Sequence, residues 1–186
     1  MLFGIGEHFF CSKLTIMIFE TERLYVRKLH ESDHEAYFDL TGNPNVRNPL
    51  PRKVFTKEES DTELNLYILL EKTAHNKIWA ICEKGNSEFI GGCGIIKNEF
   101  DQDEIGYQLR EKFWGKGYGT EIAAGLIEYG FTVLNSPVIT ADVDVKNTKS
   151  VKILSKFLKL EKEFFNEKDN CMDRRYSLLK KDWKRS

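Results

Sequence analysis

Phe113-Trp-Gly-Lys-Gly-Tyr-Gly119 is the stretch on which the reading of this chain turns. Its glycines, Gly115, Gly117 and Gly119, stand between a strand-like run, Glu104 to Leu109, and a helical run from Thr120 to about Leu134. Glycine opens backbone conformations closed to other residues and leaves its amide bare. Consecutive N–H groups at a helix N-terminus, reinforced by the helix dipole, form an anion site, and a pyrophosphate is its natural guest. Lys116 adds positive charge. A dinucleotide fold requires G-x-G-x-x-G directly after its strand, with an acid about 20 residues further on. Asp142 stands near that distance, but the spacing here is G-x-G-x-G and polar residues separate it from the strand. A P-loop fails, because Lys116 is not followed by Ser or Thr at the required place. Taken alone, the loop also reads as a tight connection that holds nothing.

Outward from the loop the chain is a mixed α/β sequence without repeats or linkers. Leu24 to Arg27 reads as a short strand, and Ile78 to Cys82 and Phe89 to Ile96 as two more flanking a turn at Lys84-Gly-Asn-Ser-Glu88. Ser32-Asp-His-Glu35 has the form of a capping box opening a helix through about Leu40, and Thr56-Lys-Glu-Glu59 of a second. The second helix sets Leu64, Tyr67 and Ile68 on one face. Gly42-Asn-Pro44 and Asn48-Pro-Leu-Pro51 mark loops. In the helix after the glycine loop, Ala123, Leu126 and Ile127 face inward. Val138 to Val143 reads as a buried strand, followed by a helix from Thr148 to Phe157 with Asn147 as N-cap. Leu160 to Phe165 and Arg174 to Leu179 are the last strands, and Lys180 to Arg185 reads as a solvated tail. The helix between the fourth and fifth of these strands makes a β-α-β unit with the glycine loop at its entrance.

The 186 residues suit one domain able to bury its own core. With 28 basic and 29 acidic residues and no basic tract, the chain lacks the electrostatic footprint of nucleic-acid binding. Cys11, Cys82, Cys93 and Cys171 are scattered, which argues against a zinc site or a secreted disulfide framework and for thiols in a reducing cytoplasm. No run approaches the ~20 apolar residues of a membrane span. Met1 to Ile18 is apolar-rich, but Glu7, His8 and Lys13 interrupt it and no basic residue precedes it, unlike a secretory signal. Residues 1–16 are therefore expected to be an extension ahead of a single domain spanning 17–186.

Six motifs in order carry a resemblance to the GNAT N-acetyltransferases, in particular the ribosomal-protein N-acetyltransferase (RimJ/RimL-like) branch. They are Thr21-Glu-Arg-Leu-Tyr-Val-Arg27 with Ser32-Asp33, Asn43-Pro-Asn-Val46, Phe89-Ile-Gly-Gly92, Glu104-Ile-Gly-Tyr-Gln-Leu109, Trp114-Gly-Lys-Gly-Tyr-Gly-Thr-Glu121, and Asn147 with Ser150. The resemblance implies a mostly antiparallel sheet, flanked by helices and splayed between its fourth and fifth strands, with acetyl-CoA in the splay. It implies that the backbone of Tyr107, Gln108 and Leu109 bonds the pantetheine arm. Amides of Gly115, Lys116, Gly117, Tyr118, Gly119 and Thr120 would hold the pyrophosphate, and Asn147 and Ser150 would approach the pantetheine and the sulfur. No metal is implied. The sequence departs from the family in three places. Trp114 stands where Arg or Gln is usual, Leu158-Lys159 replaces Gly-Phe, and Leu154 occupies the place of a tyrosine general acid.

Acetyl transfer to an amine requires that both reactants be held together, a proton removed and an oxyanion stabilised. Glu104 is the candidate base, sharing a strand face with Gly106 and Gln108. It reads equally as a solvated charge or an attractor of a cationic substrate. The amide near Leu109 is the candidate for polarising the thioester carbonyl. Ser150 donates to the leaving thiolate, merely positions the sulfur, or caps its helix. The expected function is acetyl transfer from acetyl-CoA to a primary amine, on a protein N-terminus or a small molecule, in a ternary complex. The alternative is a catalytically silent CoA-binding sensor or interaction module. A monomer or homodimer in the cytoplasm, with no nucleic-acid or membrane partner, completes the expectation.

Overall fold

The computed structural model describes residues 17–47, 53–70 and 77–184. Eight strands form one sheet: β1 (Met17–Glu20), β2 (Leu24–Lys28), β3 (Lys77–Glu83), β4 (Phe89–Lys97), β5 (Asp103–Leu109), β6 (Val138–Asp144), β7 (Lys159–Asn166) and β8 (Cys171–Leu179). Their order across the sheet is β1-β2-β3-β4-β5-β6-β8-β7. All neighbours are antiparallel except β5 and β6, which run parallel. That pair is joined by α4 (Tyr118–Thr132), the predicted β-α-β unit. Because β1 precedes the first predicted strand, the fourth and fifth strands of the sequence reading are β5 and β6.

Strand alternation divides the core between two faces. On one face Ile105, Leu109, Ile139 and Ala141 pack under α4, whose Ile122, Ala123, Leu126, Ile127 and Phe131 are buried, so the inward face read from its 3.6-residue period is the observed one. On the other, Ala80, Cys82 and Phe89 meet α1 (His34–Thr41) and α3 (Lys57–Leu70) through Tyr37, Leu40 and Leu64. A short helix, α2 (Pro44–Arg47), and the seven-residue α5 (Thr148–Leu154) complete the set. These faces place the glycine loop under one layer of helices and Glu104 on the opposite side of the sheet.

The second capping box forms as its sequence requires. The Glu59 carboxylate accepts from the Thr56 amide at 3.0 Å, and the Glu59 amide donates to the Thr56 hydroxyl at 3.3 Å. The first does not form between Ser32 and Glu35. Asp33 takes its place, accepting from the His30 amide at 2.9 Å and from the two terminal nitrogens of the Arg27 guanidinium at 2.7 Å each. A short 3₁₀ turn, Glu31–Asp33, moves the cap two residues earlier, from Ser32 to His30, and a buried arginine outcompetes an exposed glutamate for the shape of the turn. The C-terminal run also differs from expectation. Its Trp183, partly buried, packs against the core with its ring 5.3 Å from that of Phe131, while the neighbouring Lys181 and Lys184 are exposed. Asn48 to Pro51 and residues 1–16, including Cys11, lie outside the described residues. Cys82, Cys93 and Cys171 are free thiols.

Candidate active site

The β5–β6 ladder is short. Asp103 pairs with Ile139 and Glu104 with Thr140, and the parallel pairing ends there. On its other side β5 stays paired with β4 as far as Leu109. From Ile105 to Leu109 the backbone edge towards β6 is therefore open, and the two strands diverge as the resemblance implied. A cleft of about 750 Å³ includes this divergence. Glu104, Gly106, Tyr107, Gln108, Asn147 and Ser150 line it, together with Tyr37 and Glu63 from the α1–α3 side.

The glycine loop sits at the C-terminal end of β5, and each glycine has its own reason. Gly115 and Gly117 have φ of 76° and 84°, a left-handed backbone that side chains rarely adopt. Gly119 permits a close approach: a Cβ there would stand 3.0 Å from Ile153 Cδ1 and 3.6 Å from Tyr107 Cε2. Thr120 and Glu121 both donate their amides to the Gly117 carbonyl, at 3.1 and 3.2 Å. Among the described residues, no hydrogen bond engages the amides of Gly115, Lys116, Gly117, Tyr118 or Gly119. Bare amides grouped at the start of a 15-residue helix have the chemistry that receives a pyrophosphate. The Thr120 amide, expected among them, is already bonded within the turn.

Two anchors hold the loop, and sequence reasoning missed both. Arg23 donates through Nε to Glu121 at 2.8 Å and through its NH1 group to the Lys116 carbonyl at 3.0 Å. Glu121 also accepts from the Arg23 amide and the Thr21 hydroxyl, at 2.7 and 2.6 Å. Trp114 donates its indole N–H to the Leu109 carbonyl at 2.8 Å and ties the end of β5 to the loop. The motifs at Thr21 to Arg27 and Trp114 to Glu121 contained these residues, but a contact between positions 98 residues apart leaves no local periodicity to read.

Glu104 is mostly buried, facing Asp142 across the divergence. Burial, then the nearby Asp142 carboxylate, raise its pKa to about 7, against the opposing pull of Arg175. That is the range in which a carboxylate serves as a general base at neutral pH. Asn147 caps α5, its side-chain oxygen accepting from the Ser150 amide at 3.2 Å. The capping role is thus Asn147's, and the Ser150 hydroxyl is left to face Tyr107. The Gln108 side chain turns to the Glu104 face, where its amide reaches the Val46 carbonyl at 3.4 Å. The expected site residues therefore come to one divergence from both faces of the sheet: Glu104 and Gln108 on one, Tyr107, Asn147 and Ser150 on the other. Among the described residues no group of His, Cys, Asp and Glu is arranged to hold a metal, and no helix is long and apolar enough to cross a membrane.

Comparison with known proteins agrees with this geometry. The acetyltransferase (GNAT) domain family matches residues 23–157. An uncharacterized N-acetyltransferase, p20, of Bacillus licheniformis is 34% identical over 174 residues, which cover 88% of this chain and 96% of the relative. A GNAT-family acetyltransferase from Bacillus anthracis superposes with a TM-score of 0.77 at 26% identity, covering 89% of this chain and 99% of its own. RimL, a ribosomal-protein alpha-N-acetyltransferase solved with coenzyme A, shares the fold with a TM-score of 0.74 at 19% identity, covering 88% of this chain and 98% of its own. With the family match spanning most of its length and a splayed sheet to go with it, the chain belongs to the GNAT acetyltransferase family.

Proposed function

We propose that the protein transfers the acetyl group of acetyl-CoA to a primary amine by direct attack in a ternary complex in the cytoplasm. The observation that carries this reading is the position of Glu104. Its carboxylate stands at the last paired residue before the sheet opens, with its pKa raised to about 7. The bare amides of Gly115 to Gly119 suit the pyrophosphate, and the open edge from Ile105 to Leu109 suits a pantetheine arm bonded as an added strand. In this reading Glu104, directly or through a water, takes a proton from the attacking ammonium. The Leu109 amide is the proposed donor to the thioester oxygen, where charge grows as the tetrahedral intermediate forms.

The acceptor reaches Glu104 from the α1–α3 face, where Glu63 accepts a hydrogen bond from Tyr37 at 2.7 Å and the Gly106 position leaves the cleft floor open. Carboxylates on that face suit a cationic amine, whether a protein N-terminus, as in the ribosomal-protein branch, or a small molecule. No observation favours the catalytically silent alternative. The test is release of free thiol from acetyl-CoA against a panel of amines and N-terminal peptides. Release stimulated by one class of acceptor establishes the activity and names the class. Tight acetyl-CoA binding without release for any acceptor overturns it.

A further inference from the structure

Tyr107 carries the one buried side-chain polar atom that has no hydrogen-bond partner among the described residues. A buried hydroxyl left unbonded costs free energy that a phenyl ring in the same place would not, so its retention points to a partner that arrives. Tyr107 lies on β5 beyond the end of the β6 ladder, on the strand face opposite Glu104. Its ring is pressed beneath the first turn of α4 and lines the cleft with Asn147 and Ser150. Ser150 is close enough to draw the Tyr107 pKa downwards, but the two hydroxyls do not meet in hydrogen-bonding geometry, and the Tyr107 hydroxyl is open. Burial outweighs Ser150 and pushes Tyr107 up to about 12, so the hydroxyl keeps its proton at neutral pH. Helix α5 offers no acid of its own at Leu154, which is buried and apolar.

We propose that the Tyr107 hydroxyl is the proton donor to the sulfur of coenzyme A when the acetyl group leaves. This rests on the acetyl-transfer reading above. The amine nitrogen bonds to the carbonyl carbon, and its proton passes to Glu104. As the tetrahedral intermediate collapses, the C–S bond breaks and its electron pair stays on sulfur. The Tyr107 O–H proton passes to that sulfur, and the phenolate regains a proton from water as the thiol departs. The hydroxide left behind is neutralised by the proton that Glu104 releases.

The test is Tyr107→Phe, which removes no hydrogen bond of the ligand-free protein and keeps the ring that packs under α4. Turnover with a responsive amine is expected to fall by about 100-fold with KM for acetyl-CoA little changed. Calorimetry with coenzyme A and desulfo-coenzyme A supplies a readout that needs no acceptor. The unsubstituted protein is expected to prefer coenzyme A by about tenfold and Tyr107→Phe to bind the two equally. Equal binding by the unsubstituted protein overturns the proposal however the variant folds, as does a Tyr107→Phe enzyme with turnover within about threefold of the original. If no amine is acetylated while Tyr107→Phe still erases the preference for the thiol, the acetyl-transfer reading fails and the contact between Tyr107 and sulfur stands.

Discussion

Arg175 holds Asp142 in a two-pronged grip, Nε to Oδ1 at 2.8 Å and the NH2 group to Oδ2 at 2.6 Å, on the sheet face that Glu104 shares. The guanidinium is buried, bonds Glu99 at 2.8 Å as well, and lies between the rings of Phe100 and Phe164. It neutralises Asp142 only in part. Asp142, Glu99 and Asp173 still raise the Glu104 pKa while Arg175 lowers it. With Glu104 as the base, kcat/KM for the amine should rise with pH through about 7 as Glu104 deprotonates. Arg175→Met withdraws the one opposing charge, so this acid limb is expected to move to higher pH. A pH–rate profile of the folded variant checks the direction, and a limb that moves down excludes Glu104 as its source.

The same raised pKa is a statement about stability. Between 4.5, the ordinary value, and about 7 the folded protein holds a proton on Glu104 that the unfolded chain has released. Stability attributable to this group is therefore present below that window and lost as pH rises through it. Glu104→Gln should match the original protein in thermal unfolding at pH 4.5 and exceed it at pH 8. A tenfold difference in proton affinity between the folded and unfolded protein is worth about 1.4 kcal/mol, so the gain, allowing for partial solvent access, is about 1–2 kcal/mol. Turnover should fall on the order of 100-fold in the same variant. A variant stabilised but fully active would make Glu104 a substrate attractor instead of a base.

Gly117→Ala and Gly119→Ala should weaken acetyl-CoA for different reasons. At Gly117 the left-handed backbone, φ 84°, costs a β-carbon about 1–2 kcal/mol, and Arg23 stands 3.3 Å from where that carbon would be. At Gly119 the backbone is helical, but the added carbon presses Ile153 at 3.0 Å and moves α5 relative to Tyr107. Binding titrations should show both weakened. Gly119→Ala should also alter the tyrosine absorption change on ligand addition, since its added carbon stands 3.6 Å from the Tyr107 ring.

Asp33→Ala tests the joint between β2 and α1. The carboxylate is buried and satisfies Arg27 twice and the His30 amide once. Removing one partner of a buried pair leaves the other charge stranded, at about 3–5 kcal/mol. Denaturant unfolding should show that loss, whereas Glu35→Ala, at an exposed position, should shift stability by about 0.5 kcal/mol or less.

The elements that could be read from sequence were those whose signal is local. The glycine spacing marks the α4 entrance because two of those positions need φ values that other residues avoid. Thr56 and Glu59 cap α3 because a capping box is complete within four residues. Asp33 was missed as the working acid of its turn because its partner Arg27 lies on another element. β1 was missed because its Phe19 is stabilised by the rings of Trp79 and Tyr129, distant in sequence, at 6.5 and 5.2 Å. Within the site, strand alternation placed Glu104 and Gln108 together on one face. The open hydroxyl of Tyr107 had no sequence signal at all, since its isolation depends on where β6 parts from β5.

Gly106 gives the sharpest separation of the two substrates. It sits between Glu104 and Gln108 on the face towards α1 and α3, opposite Gly94 on β4. A Cβ at Gly106 would meet nothing within 4 Å, so the strand accepts a side chain there without strain and the side chain enters the cleft. The CoA-facing residues Tyr107, Asn147 and Ser150 are reached from the other face and should be indifferent to it. Gly106→Val is therefore expected to leave thermal stability and acetyl-CoA affinity unchanged while raising KM for the amine by about tenfold or more, the signature of lost acceptor binding. If acetyl-CoA binding falls and the amine KM does not, the two faces have been assigned the wrong way round.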